Sequence, residues 1–542
     1  MSASGPADFV VTGAIILTMA EPETEAGATA IGVRDGRIVY VGSDDGAAGW
    51  IGDDTEVRKL NGHVITPGLF DSHNHMLKTA LGARMPSLGG VRDLAGLLGV
   101  VSAARSAKGA NQWIEVSPAW HESALAESRM PTIDELDAVA PDVPVLLRRG
   151  GHNAVMNTKA FERFGLLDSH SVPSGATIVT DPDGRPTGHV IGAPFINSLA
   201  RLVPTPSDQE KAEALHGLSQ EYLSLGLTSV VEPGLGSNDL ALLRAMHEEG
   251  RLPVRTHAMW RLAYQGESLD DVVASIHAKE VNPVTGERFS VFGIKVSMDG
   301  GAETGYYREP YLRPDDEGSP RGKPLLSRDQ LVAIGVAAAK NGWHLGVHCV
   351  GDAAIDDVLA AFTDLNRIIP IAGLRWSLIH MMNPRDDHWD QVRRLGLTVT
   401  AQQPLVYALG EGFVHYLGDE RGEDLVPLAR MLKASPFPVG GGSDSPVAPY
   451  NPWLGMASSI SREIASGRVL GPQHGISPRA ALQMYTSGSA YCAFQENSVG
   501  RLSPGMLADL LVLPANAFKT NDDVPEGPLV TMTNGKVVHD AL

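Results

Sequence analysis

Short apolar runs broken by tight turns fill the first sixty residues. Val10–Leu17 is one strand. Ala30–Val33 and Arg37–Val41 flank Asp35-Gly36, the dipeptide of a two-residue hairpin, and Val57–Leu60 precedes Asn61-Gly62. The C-terminus has the same texture, with Asp509–Leu513 and Leu529–Met532 ahead of Asn534-Gly535 and Lys536–Val538. Each end is too short to fold alone, so the pattern predicts one small β domain built from both termini, over 1–66 and 495–542.

The middle alternates between the two periods. Strand-like runs are predicted at Val64–Phe70, Leu227–Glu232, Pro253–Met259, Ser290–Val296, His344–Cys349, Trp376–His380, Leu397–Ala401 and Phe437–Gly441. Helical spacing lies between most of them: Asp239–Glu249 carries Leu240, Leu242, Leu243 and Met246, and Arg328–Asn341 and Ala353–Arg367 are similar. Eight strands alternating with helices predict an α/β fold, a (β/α)₈ TIM barrel over 67–494. The interval from the first run to the second is far longer than a βα loop needs. It predicts an inserted subdomain over about 80–205, marked by turn signals at Pro173-Ser174-Gly175 and Asp181-Pro182-Asp183-Gly184 and without an internal repeat.

Composition narrows the function class. Hydrophobic residues make up 43% and charged residues 20% of the 542, an ordinary globular balance. A net charge of −19 with no basic stripe argues against nucleic acid and anionic membranes as partners. Two cysteines, Cys349 and Cys492, outside any CxxC pair, argue against a disulfide framework and a zinc ribbon and fit a cytoplasmic setting. The N-terminus has no basic region, and Phe9–Ala20 is too short to span a bilayer, so neither signal peptide nor transmembrane helix is expected.

In such a barrel the active site forms at the C-terminal ends of the strands. His73 and His75 follow the first run at i, i+2 spacing, which puts both imidazoles on one face of a strand. Lys295 lies in the fourth run; His348 and His380 end the fifth and sixth; Asp444 follows the eighth. An ammonium inside an apolar strand is costly unless paired or neutralised. Reaction of Lys295 with CO2 would turn it into an anionic carbamate, a bidentate metal ligand. Two zinc ions would then face a carbamate, the Asp444 carboxylate and a hydroxide, a nearly balanced set. Each residue also has an ordinary structural alternative, as a core histidine or a turn aspartate.

These residues, in their order, resemble the amidohydrolase superfamily, and within it the amidohydrolase-3 branch of N-substituted formamide deformylases and related metal-dependent hydrolases. The resemblance covers nearly the whole chain. Its carriers are Pro67–His75, Lys295 with Asp299-Gly300, His348 with Gly351-Asp352, Gly442–Pro446, the tail Ala508–Val512 with Asn534–Val538, and, in the insertion, Gly151-His152-Asn153 and Asn157–Ala160. The resemblance implies hydrolysis of a non-peptide C–N amide-type bond in a small-molecule substrate, such as an N-substituted formamide. It implies zinc, as one or two ions. His73 and His75 would bind the buried metal with Asp444; His348 and His380 would bind the second, with carboxylated Lys295 bridging. Asp444 would act as general base and then acid. Related enzymes are often dimers. His152, Tyr306 and Trp120 are candidate substrate contacts, and a capped loop histidine and core packing are the other readings of His152 and Trp120. Asp352 is expected to cap a helix. Cyclic amides, carbamates or ureas are alternative substrates on the same site, and a scaffold without metal is a further alternative.

The chain departs from the branch at three places. Ile379 stands where glutamate usually precedes the strand-six histidine, so a hydrogen bond to that ligand is expected to be lost. Ala353 replaces the usual arginine after Gly351-Asp352, and Tyr306-Tyr307 make the stretch after Asp299-Gly300 unusually aromatic.

Overall fold

The computed structural model describes residues 5–20, 27–88, 90–106, 112–117, 120, 122, 125–149, 153–166, 177–192, 195, 196, 199, 203–262, 264, 267–313 and 319–542. The chain divides into two units, Met1–His75 with Ser219–Leu542, and Met76–Leu218.

In the first unit the two termini interleave. One four-stranded sheet runs in the order Arg37–Gly42, Ala30–Arg34, Phe9–Thr12, Glu56–Lys59. A five-stranded sheet follows the order Ile15–Ile16, Val64–Pro67, Leu510–Leu513, Val530–Thr533, Lys536–Asp540. Val11, Ile31, Ile38, Ile65, Leu510 and Met532 share one core, so neither terminus buries its apolar face without the other. The alternation within each strand turns one face to that core.

Eight parallel strands form the barrel: Leu69–Asp71, Leu227–Leu235, Arg255–Arg261, Phe289–Ser297, His344–Cys349, Ser377–His380, Thr398–Ala401 and Gly440–Gly441. They are numbered one to eight below. The Ser72 N–H donates to Gly441 O at 2.9 Å and joins the first strand's end to the eighth strand. Helices Ser237–Glu248, Arg328–Lys340 and Asp352–Ile368 match the helical spacing, and Ser327 and Gln330 start the second of these with a capping box.

Three boundaries differ from expectation. The run Val64–Phe70 is two strands, not one. Val64–Pro67 pairs with Leu510–Leu513, and Leu69–Asp71 opens the barrel. Gly68 is the crossing point, where a Cβ would lie 2.4 Å from Thr228 Oγ1. The eighth strand is only Gly440–Gly441, because Pro436 and Pro438 lack the N–H that a ladder needs. The second strand runs on to Leu235 through a register shift after Glu232.

The second unit holds a five-stranded sheet in the order Thr177–Thr180, Pro186–Ile191, Asn153–Met156, Val145–Arg149, Ile114–Glu115. Asn157 accepts the N–H of Val145 and of Ala160, and donates to Ala140 O and Val143 O. The Asn157–Ala160 motif is thus a helix cap that also pins the sheet. Among the described residues, no helix is long and apolar enough to cross a membrane.

Candidate metal centre

The loop after strand one is where the chemistry gathers. His73 and His75 lie beyond Asp71, where the strand has ended, and not on the strand itself. The two imidazoles converge nevertheless, because both sides of the loop are hydrogen bonded. Asn74 N–H donates to Val231 O at 2.9 Å, His75 N–H to Ser445 O at 2.9 Å, and Asp444 N–H to His73 O at 2.7 Å. The i, i+2 convergence therefore holds, supported by neighbours instead of a strand ladder. The two rings are 5.3 Å apart, edge to face.

Asp71 organises this corner. Oδ1 accepts the N–H of His73 and of Ser443, each at 3.0 Å. Oδ2 accepts the Ser443 hydroxyl at 2.6 Å and the Asn74 amide at 3.0 Å. Buried Tyr222 in turn donates to Asn74 Oδ1 at 2.8 Å. Gly442 permits the close approach: a Cβ there would lie 2.7 Å from His73 N.

Asp444 Oδ1 lies 3.3 Å from both His73 Nε2 and His75 Nε2. Ligand atoms of these three residues all lie within 4.8 Å of one another. The His380 ring stands 4.9 Å from His73 and 4.5 Å from His348. Lys295 is buried, and its charge reaches His73, His348 and His380. Both Asp444 and His380 have positive φ, 59° and 71°, a conformation that costs about 1–3 kcal/mol each in residues with a Cβ. At His380 its purpose is visible. Ser377 and Ile379 face the barrel interior, where a Cβ on Gly346 would touch both, so strict alternation would turn His380 away. The left-handed turn brings its ring back to the centre.

Burial first, and then the Lys295 ammonium, pushes His73 down to about 3 and His348 down to about 4. Burial holds His380 well below the usual range too. The imidazoles are therefore neutral at pH 7, with lone pairs available. Burial alone would raise Asp444, but the imidazoles of His73 and His75, whose Nε2 atoms lie 3.3 Å from its Oδ1, outweigh it and keep the carboxyl well below the usual range. Neutral imidazoles around one buried carboxylate are a donor set that fits a divalent ion. His348 Nε2 is 3.1 Å from Gly300 O; donating there would leave Nδ1 as its ligand atom. His75 Nδ1 faces Glu232 Oε1 at 3.6 Å.

The other expectations fare differently. The His380 Nδ1 atom has no hydrogen-bond partner among the described residues, and Ile379 precedes it. Asp352 does not cap its helix. It is the first helical residue, and the cap position belongs to Gly351. From inside the helix Asp352 accepts the N–H of Ala353 at 3.0 Å, and the N–H of Ala354 goes to Tyr306 O at 3.1 Å. The turn before the helix is held by Asp299, which takes the N–H of Val350 and of Gly351, at 2.9 Å each, along with that of Tyr306 at 2.8 Å. Asp352 also receives Arg308 N–H and Arg385 Nε, both at 2.8 Å. The half-buried Tyr306 ring lies 6.0 Å from the Arg321 guanidinium. Trp120 belongs to the second unit, where it packs on an apolar cluster and donates to Arg148 O at 2.9 Å. His152 lies outside the described residues.

Sequence reasoning used Asp71 and Asp299 only as motif residues, without a role in the site, and missed Gln402. Gln402 directly follows strand seven and is fully buried. The rule that singled out His348 and His380, a polar residue at a strand's C-terminal end, would also have found it.

Comparison with known proteins agrees with this geometry. A model of the amidohydrolase family matches residues 56–539. The N-substituted formamide deformylase of Arthrobacter pascens is 27% identical, over 90% of this chain and 90% of its own. Protein LONG AFTER FAR-RED 3 of Arabidopsis thaliana is 26% identical, over 98% of this chain and 92% of its own. An uncharacterized metal-dependent hydrolase from Pyrococcus horikoshii shares the fold, with a TM-score of 0.75 at 22% identity, over 96% of this chain and 99% of that one.

Proposed function

The chain belongs to the amidohydrolase family, and from that premise we propose that it hydrolyses a non-peptide C–N bond in a small amide, an N-substituted formamide or a near analogue, with zinc as cofactor. The observation that carries this reading is Asp444 Oδ1 held 3.3 Å from Nε2 of both His73 and His75. The likeness to the A. pascens formamide deformylase supports the substrate class.

His73, His75 and Asp444 would hold one ion; His348, His380 and Lys295 as its carbamate would complete a second position. Zinc there would polarise the amide carbonyl and let water attack at neutral pH. The chain's own residues do the rest. Asp444, anionic and fixed by two imidazoles, accepts the proton of the attacking water on a carboxylate oxygen and returns it to the departing nitrogen. Asp71 keeps the loops of His73 and Asp444 in register. Asp299 fixes the turn that follows His348.

The test is metal analysis of protein purified without chelator, together with a screen of N-alkyl and N-aryl formamides against lactams, carbamates and ureas. At least one zinc per chain and turnover of formamides are expected. Under about 0.2 zinc per chain, with no turnover after zinc is added back, would sink the reading. Turnover confined to lactams, carbamates or ureas would move the substrate class and leave the metal chemistry standing.

A further inference from the structure

Two adjacent glutamines follow strand seven, and they are treated differently. The Gln403 side chain is satisfied: its oxygen accepts Arg462 at 2.6 Å, and its nitrogen donates to Ser458 O at 3.5 Å. The Gln402 side chain is fully buried, yet neither its amide oxygen nor its amide nitrogen has a hydrogen-bond partner among the described residues. Native proteins rarely leave a buried amide orphaned at both ends without a functional reason.

Its direction follows from the sheet. Thr400 is in register with Ile379 on one side and Gly440 on the other. Ile379 faces the barrel interior against Gly346. Side chains paired in register share a face, and that face recurs every second residue. Thr400 therefore points inward, and the same alternation, carried one residue past the strand's end at Ala401, puts Gln402 on that face one layer nearer the C-terminal mouth; its φ of −117° has none of the left-handed turn that redirects His380. Strand six on one side ends in His380, and strand eight on the other leads into Asp444. The orphaned amide thus stands between the two strands that deliver proposed metal ligands.

A carboxamide offers one donor and one acceptor side by side, and its complement is an N–H next to a C=O. We propose that Gln402 is a substrate-binding residue: Nε2 donates to the carbonyl oxygen of the amide being hydrolysed, and Oε1 accepts that amide's N–H. This rests on the amide-hydrolase reading above and deepens it. The paired edge selects substrates whose N–H and C=O lie on the same side, namely primary amides, lactams and the E rotamer of N-substituted formamides. It rejects tertiary amides, which lack the N–H and leave Oε1 buried and unpaired.

The experiment compares the zinc-loaded wild type with Gln402→Met, which keeps the side chain's length and removes its amide. Three readouts are taken: zinc content, Tm, and kcat/KM for N-benzylformamide and N-benzyl-N-methylformamide. The wild type should prefer the secondary formamide at least ten-fold. Gln402→Met should keep its zinc, hold or raise its Tm, and lose most of that preference through the secondary substrate. A Tm lowered by several degrees, or a preference left intact in the variant, would overturn the proposal. If the wild type turns over no amide, the amide reading fails separately. The Tm then still decides whether Gln402 faces a ligand: a rise supports it, and a fall assigns the amide to structure.

Discussion

The Asp71 carboxylate accepts the Ser443 hydroxyl at 2.6 Å and so ties the loop after the first barrel strand to the loop after the eighth. Those loops carry His73 with His75 and Asp444. Burial pushes Asp71 up to about 6, against the pull of hydrogen bonds from Ser443, Asn74 and His73. It therefore stays ionised at pH 7 and able to accept all four.

Asp71→Ala should loosen both loops together. The expected result is a 10–100-fold weaker zinc affinity, about what loss of a partner behind a metal ligand costs, measured by competition with a chromogenic chelator. Ser443→Ala removes one of the four bonds and should cost about 1–2 kcal/mol in urea unfolding.

Lys295→Ala tests the carbamate. Zinc content and turnover should both fall, and acetate or propionate added in trans should restore part of each. Unchanged zinc and turnover in the variant would assign Lys295 a structural place only.

Acid should destabilise the barrel through two histidines outside the metal centre. Burial, with help from Arg255 and Arg375 respectively, pushes His257 and His344 from 6.5 down to about 3. Between those values the unfolded chain binds the protons that the folded protein refuses, so stability is full above pH 6.5 and is lost as pH falls toward 3. Each residue should contribute about 2–4 kcal/mol to this loss. Unfolding free energy measured from pH 7 to pH 5 should fall less steeply in His257→Leu than in wild type.

Arg255 and Asp509 form a buried bidentate pair, at 2.7 and 2.9 Å, between strand three and the C-terminal β segment. Asp509→Ala leaves the guanidinium buried and should cost about 3–5 kcal/mol, read as a lower urea midpoint. Arg255→Met combined with Asp509→Leu should recover part of that loss, because no charge then remains buried.

Local period and spacing determined much of this protein. The eight barrel strands, their helices and the pairing of the two termini follow from apolar alternation, because a strand or helix must bury its apolar side whatever surrounds it. The ligand candidates at strand ends were legible for the same reason: the (β/α)₈ architecture turns every strand's C-terminal end toward one mouth. Long-range hydrogen bonds decided the rest. Whether Val64–Phe70 is one strand or two depends on Thr228 pressing on Gly68, far away in sequence. Asp352 falls one residue inside its helix, and the turn before it is held by Asp299, which arrives from the preceding strand's loop. Tertiary packing also turns His380 inward through a positive φ and leaves the Gln402 amide without a partner among the described residues, although Gln403 beside it has two. Sequence period sets which face a residue takes; only the folded neighbours set whether its polar atoms are already satisfied, and that is what separates a binding group from a structural one.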